Sequence, residues 1–92
     1  MRLDQFLAKV GVIKRRTEAA RLLKNGVILV DDVPAKPASE ARPGTTLRIE
    51  TETQRSTWEI LEIPTGNVAK RDYERYARRT SLELRERPST EG

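Results

Sequence analysis

Lys14-Arg15-Arg16-Thr17-Glu18-Ala19-Ala20-Arg21-Leu22-Leu23-Lys24 holds five basic residues and one acid, Glu18. Thr17 is the expected cap of a helix that places Ala19, Leu22 and Leu23 on a buried face. Arg21 and Lys24 then emerge on the opposite side, in line with Thr17. Arg15 and Arg16 stand just before the first turn, where backbone N–H groups and the helix dipole already favour an anion. A solvated helix face would carry mixed signs spaced for i, i+4 pairing. This one carries clustered like charge, the footprint of a polyanion partner.

Upstream, Leu3, Phe6, Leu7 and Val10 follow the helical period and define a first helix that Gly11 stops; Arg2 and Lys9 share its flank. Downstream, Gly26 ends the second helix. Val27–Val30 then reads as a strand, turning at Asp31-Asp32 into Val33-Pro34-Ala35. A loop over 36–45 leads to a strand over Thr46–Glu50. Thr51–Ser56 reads as a polar turn, and Thr57–Ile63 as a further strand. Pro64-Thr65-Gly66 breaks the chain. A third helix is expected from about Asn67 to Arg79, with Tyr73 and Tyr76 on its apolar face and Arg71, Arg75, Arg78 and Arg79 on the other. The expected organisation is α+β: two N-terminal helices on a small antiparallel sheet over 1–65, a basic helix over 66–79, and a disordered tail over 80–92.

The 92 residues carry a net charge of +4, unevenly spread. Residues 1–24 hold seven basic and two acidic side chains; residues 25–65 hold four basic and seven acidic; residues 66–92 hold seven and five. Positive ends around an acidic middle favour a polyanion over a uniformly basic solubility surface. The chain has no Cys and no His, so disulfides, thiolate metal sites and the commonest general base are excluded. No serine lies in a nucleophile-elbow pattern and no phosphate-binding glycine motif is present, so neither an enzyme nor a cofactor is expected. Asp31-Asp32, two acids at a hairpin tip, fall short of the ligands a hard cation needs. The longest aliphatic run, Val27–Val30, is too short for a signal peptide or a membrane span, which makes the cytoplasm the expected compartment.

The only aromatics are Phe6, Trp58, Tyr73 and Tyr76. Modules that read unstacked single strands display several rings on a sheet. A lone strand Trp reads as packing, which favours a folded RNA recognised by shape and charge. Arg2, Lys9, Lys14, Arg15, Arg16, Thr17, Arg21 and Lys24 are the expected contacts, with Arg71, Arg75, Arg78 and Arg79 as additional candidates. Two other readings stand beside this one. One is a DNA-binding helix-turn-helix module, disfavoured by five residues between the helices and no dimer signal. The other is a protein-interaction adaptor using the acidic middle and the Tyr73/Tyr76 face.

Arg2-Leu3-Asp4-Gln5-Phe6-Leu7, Arg15-Arg16-Thr17-Glu18-Ala19, Gly26-Val27-Ile28-Leu29-Val30 and Pro43-Gly44 together resemble the S4-type RNA-binding domain over about residues 1–50. Within it, the short length, the Lys14–Ala19 run and Gly66-Asn67-Val68-Ala69-Lys70 are similar to the small stand-alone proteins of the RqcP group and, more distantly, heat-shock protein 15. The resemblance implies a helix pair on a small sheet that binds structured RNA. For those relatives it also implies a place on the free large ribosomal subunit carrying peptidyl-tRNA, in ribosome-associated quality control. It further implies that Arg2, Asp4 and Arg16 contact ribosomal RNA and tRNA. A monomer is expected. The chain departs from the family pattern at Asp31-Asp32, which replaces Asn-Gly, and at Thr45, which replaces Asp. A longer or differently shaped hairpin is expected at the first.

Overall fold

The computed structural model describes residues 1–84. Helix α1 spans Leu3–Lys9 and helix α2 spans Arg16–Lys24. The strands are β1 (Ile28–Val30), β2 (Val33–Pro34), β3 (Thr46–Glu50), β4 (Gln54–Ile60) and β5 (Ala77–Leu84). They form one antiparallel sheet in the order β2-β1-β3-β4-β5. The expected α+β class and the helix pair on an antiparallel sheet are what the chain adopts.

One core joins the two layers. Leu3, Phe6 and Leu7 of α1 are fully buried with Ala19 of α2, Ile28 of β1 and Leu47 of β3. The period-3.6 stripe of each helix meets the period-2 face of the strands, so each layer removes the other's apolar surface from water. Leu47 and Ile49 of β3 lie on the inner side, and Ile60 closes the core from β4.

Three boundaries differ from expectation. Thr17 is not the cap of α2; the helix starts one residue earlier, with extended Arg15 as N-cap and no side-chain cap hydrogen bond. The connector between the helices is therefore Val10–Arg15. Strand β4 begins at Gln54 rather than Thr57 and ends at Ile60. Its turn is Thr51–Thr53, tied by the Thr51 hydroxyl, which accepts from the Gln54 N–H at 3.2 Å. The third departure is the β1–β2 hairpin, which is no longer than usual. Val30 pairs with Val33, so only Asp31 and Asp32 turn the chain, both at positive φ, 49° and 70°. That is the two-residue geometry Asn-Gly favours, and Asp tolerates it through its short polar side chain. Asp31 Oδ1 accepts from the Thr46 N–H at 3.0 Å, and Asp32 pairs with Arg48 at 2.9 Å. Asp31→Asn with Asp32→Gly keeps the first acceptor and relieves the backbone at the second position. It should stabilise the fold by about 0.5–1 kcal/mol, because the ion pair it removes is solvent-exposed and weak. Thermal melting checks this; an unchanged or lower midpoint would show that the Arg48 pair outweighs the turn.

The C-terminal third overturns the expectation most. No helix runs over 67–79. A 3-10 turn (Lys70–Asp72) and a single α-turn, α3 (Tyr73–Tyr76), lead into β5, which pairs along all of β4 from Gln54↔Leu84 to Ile60↔Ala77. Residues 66–84 thus complete the domain's sheet, and residues 80–84 are strand rather than tail; the rest of the expected tail, 85–92, lies outside the described residues. The cause is tertiary. Without β5, the edge of β4 would present unpaired N–H and C=O groups, and cross-strand pairing outweighs the local i, i+4 charge pairs that favour helix. Tyr73 and Tyr76 do not form a free docking face: Tyr73 lies on Gly11 and Tyr76 packs against the core.

Candidate nucleic-acid interface

The site is built around one buried carboxylate. Asp4 is 4% exposed, on the first turn of α1. Its Oδ1 accepts from Arg2 Nε at 3.2 Å and its Oδ2 from Arg2 Nη2 at 3.3 Å. Arg16 Nε, on the first turn of α2, stands 3.6 Å from the same Oδ2. A buried charge is tolerated when it is paired, and here one acid holds two guanidinium groups from separate elements. Both arginine side chains remain about half exposed, at 53% and 51%.

The loop over 36–42 fixes the backbone beneath them. Ser39 and Pro37 carbonyls accept from the N–H groups of Leu3 and Asp4 at 2.7 and 3.2 Å, the Met1 carbonyl accepts from Ala41, and Arg2 bridges to Glu40. The start of α1 is therefore capped by protein, satisfying donors a helix otherwise leaves open.

Elsewhere on the helix pair and its connector, Lys14, Arg15, Arg21 and Lys24 are exposed, Lys9 is half-buried, and none of the five makes an ion pair among the described residues. Arg21, Lys24 and Thr17 share the outer side of α2, as its spacing predicts. The opposite side of the molecule is different. On the outer face of the sheet, Arg48 lies between Asp32 and Glu50, Arg55 between Glu50 and Glu83, and Arg78 beside Glu59. That face neutralises itself, while the helix face does not. Unpaired like charge at one surface is what a phosphate backbone complements.

The four C-terminal arginines do not share a face. Arg71 is in the 3-10 turn, and Arg75 pairs with Glu62 at 3.4 Å. Arg78 and Arg79 are neighbours on β5, so strand alternation sends them to opposite sides. Arg78 reaches Glu59 at 3.3 Å on the outer side; Arg79 lies over the Trp58 ring on the helix side, 5.9 Å from its centroid. Trp58 packs against the core, as expected, and its ring also lines a surface depression with Arg79, which sequence reasoning missed. The signal was Leu82 and Leu84 alternating with Ser81 and Glu83, a strand period in the stretch read as tail. No group of three or more acidic side chains that could hold a metal ion occurs among the described residues, and no helix there is long and apolar enough to cross a membrane.

The chain is similar to known proteins over most of its length. It is 34% identical over 77 residues to the RQC P-site tRNA stabilizing factor of Helicobacter pylori, covering 83% of this chain and 92% of the relative. It is 35% identical over 63 residues to the Bacillus subtilis protein of the same name, covering 68% and 73%. Heat Shock Protein 15 of Vibrio cholerae, whose solved structure is trimeric, shares the fold with a TM-score of 0.78 at 21% identity, covering 88% of this chain and 82% of that one. The sequence model of the S4 domain matches residues 1–47, which contain both helices, the β1–β2 hairpin and the braced arginines, and the chain belongs to the S4 domain family.

Proposed function

We propose that this chain is a non-catalytic RNA-binding factor. It grips ribosomal RNA and tRNA on a large ribosomal subunit carrying peptidyl-tRNA, as a monomer in the cytoplasm, within ribosome-associated quality control. The observation that carries the reading is the contrast between the two faces. Among the described residues, seven cations on and around the helix pair have one acid, the buried Asp4, as an ion-pair partner, while the outer face of the sheet is neutralised by its own acids. The name shared by the Helicobacter and Bacillus relatives supports the ribosomal setting. Arg2 and Arg16 are the central phosphate contacts. Lys9, Lys14, Arg15, Arg21 and Lys24 extend the contact over the rest of the helix pair, and Asp4 orients the arginines. A helix-turn-helix reading is not favoured, because Ala19 and Leu23 of α2 are buried in one core with Ile28, Leu47 and Ile60 of the sheet.

Sedimentation of tagged protein through a ribosome gradient tests the setting. Co-migration with free large subunits is expected, and absence from every ribosomal fraction would overturn it. Arg16→Ala should weaken binding to large subunits by about tenfold to a hundredfold, the range of a charge-assisted contact. It should leave the melting temperature nearly unchanged, since the side chain is half exposed and its one ion pair among the described residues is long. A collapse of the fold would make Arg16 structural.

A further inference from the structure

The sheet is wider than the helix pair. Strands β4 and β5 extend past α2 and leave a groove on the helix side, and Trp58 and Arg79 line two adjoining depressions of it, about 340 and 200 Å³. The smaller is walled by Lys14, Glu18 and Leu22 on one side and Leu82 on the other, with Gln54 and Ser56 beneath. Arg79 makes no ion pair among the described residues. Its guanidinium lies over Trp58, whose indole N–H is held by Ser56 Oγ at 3.0 Å. Lys14, exposed and likewise without an ion pair among the described residues, stands at the other rim.

We infer that this groove is a second RNA contact, a seat for one unpaired nucleotide. It deepens the RNA-binding reading and rests on it. The Arg79 guanidinium, held over the indole, offers a flat cationic platform of the kind on which extruded bases stack. Lys14 lies across the groove, where it takes the flanking phosphate. Glu18, Gln54 and Ser56 carry acceptors and donors for a base edge. Lys14 also begins the basic run that ends at Lys24, so the groove continues the helix surface around the flank of α2 opposite Asp4 and Arg16. The ligand is therefore an RNA whose helix lies on the α1–α2 face and whose bulged base turns into the groove.

Trp58 is the only tryptophan in the chain, so its fluorescence reports on the groove alone. The probes are an RNA hairpin with a single bulged adenosine and the same stem fully paired. Both should bind by gel shift, but only the bulged RNA should quench Trp58 emission. Bulged RNA should bind about tenfold more tightly, the size of one stacked base. Arg79→Ala should abolish that preference and leave the paired stem unaffected, and Arg79→Lys, charged but not planar, should recover little of it. Equal binding of both hairpins with unmoved Trp58 emission would overturn the groove and leave the RNA-binding reading standing. Failure of both hairpins to bind at all would overturn both.

Discussion

Gly11→Ala should destabilise the domain by roughly 3 kcal/mol and lower its melting temperature by roughly 15 °C. Two effects combine. Gly11 has φ +76°, where a Cβ crowds the backbone and costs about 1 kcal/mol. The added methyl would also fall inside the edge of the Tyr73 ring, closer than real side-chain atoms come. Overpacking of that kind costs about 1–3 kcal/mol. Gly26 is the internal control. It has nearly the same φ, +75°, with nothing within 4 Å of its Cβ direction, so Gly26→Ala should lose only the backbone share. Combining Gly11→Ala with Tyr73→Ala should bring its added cost down to the Gly26 value. If Gly11→Ala proves as mild as Gly26→Ala, Tyr73 does not rest on the end of α1, and the docking of the C-terminal segment is wrong. For a domain of this size, with a total stability of about 5–15 kcal/mol, the expected loss is a large fraction.

That contact lies between the part of the fold that was legible and the part that was not. Both helices follow a single stripe, Leu3/Phe6/Leu7/Val10 and Ala19/Leu22/Leu23, whose partner surface needs no knowledge of distant sequence. Strand β3 was equally plain, because Leu47 and Ile49 alternate with charged residues between turn signals. The segment after Gly66 was not. Lys70, Asp72, Glu74, Arg75 and Arg78 are spaced for helix pairs, and a local reading rewards that spacing. What decides the outcome is non-local: β4 has an open edge, and Arg55 and Glu59 oppose Glu83 and Arg78 when β5 runs antiparallel to it. Cross-strand charge matching of this sort appears in a sequence only once a register is assumed.

The candidate interface was legible for the same reason as the helices. Arg21 and Lys24 are exposed because Ala19 and Leu23 are not, and periodicity alone fixes that. The role of Asp4 was not legible from periodicity. A polar residue beside Leu3 on α1 would ordinarily face water; here it is buried because two arginines from different elements close over it. Trp58 packs against the core, as a lone strand Trp should, but what lies over its ring depends on β5. With a helix over 67–79, nothing would place a guanidinium across its ring.

Affinity for structured RNA should fall by about a thousandfold between 50 and 200 mM salt. The number follows from counting charge that is free to meet phosphate. Lys9, Lys14, Arg15, Arg21 and Lys24 count in full, whereas Arg2 and Arg16 share the charge of Asp4 and together contribute one. That makes about six neutralised phosphates, and a logarithmic slope near −5 if the duplex DNA coefficient applies, or near −4 if the single-strand one does. Asp4→Asn separates the charge of this carboxylate from its bracing role. Removing the negative charge should steepen the slope by about one, since seven cations then act instead of six. It should also weaken binding at 200 mM salt, where long-range attraction is screened and the two arginines, no longer braced, must be ordered by the RNA itself. The two binding curves should therefore cross as salt is raised. An affinity indifferent to salt would sink the phosphate-grip model. An Asp4→Asn curve of unchanged slope but lower affinity throughout would mean that the carboxylate's charge does not offset the arginines and that it touches RNA in its own right.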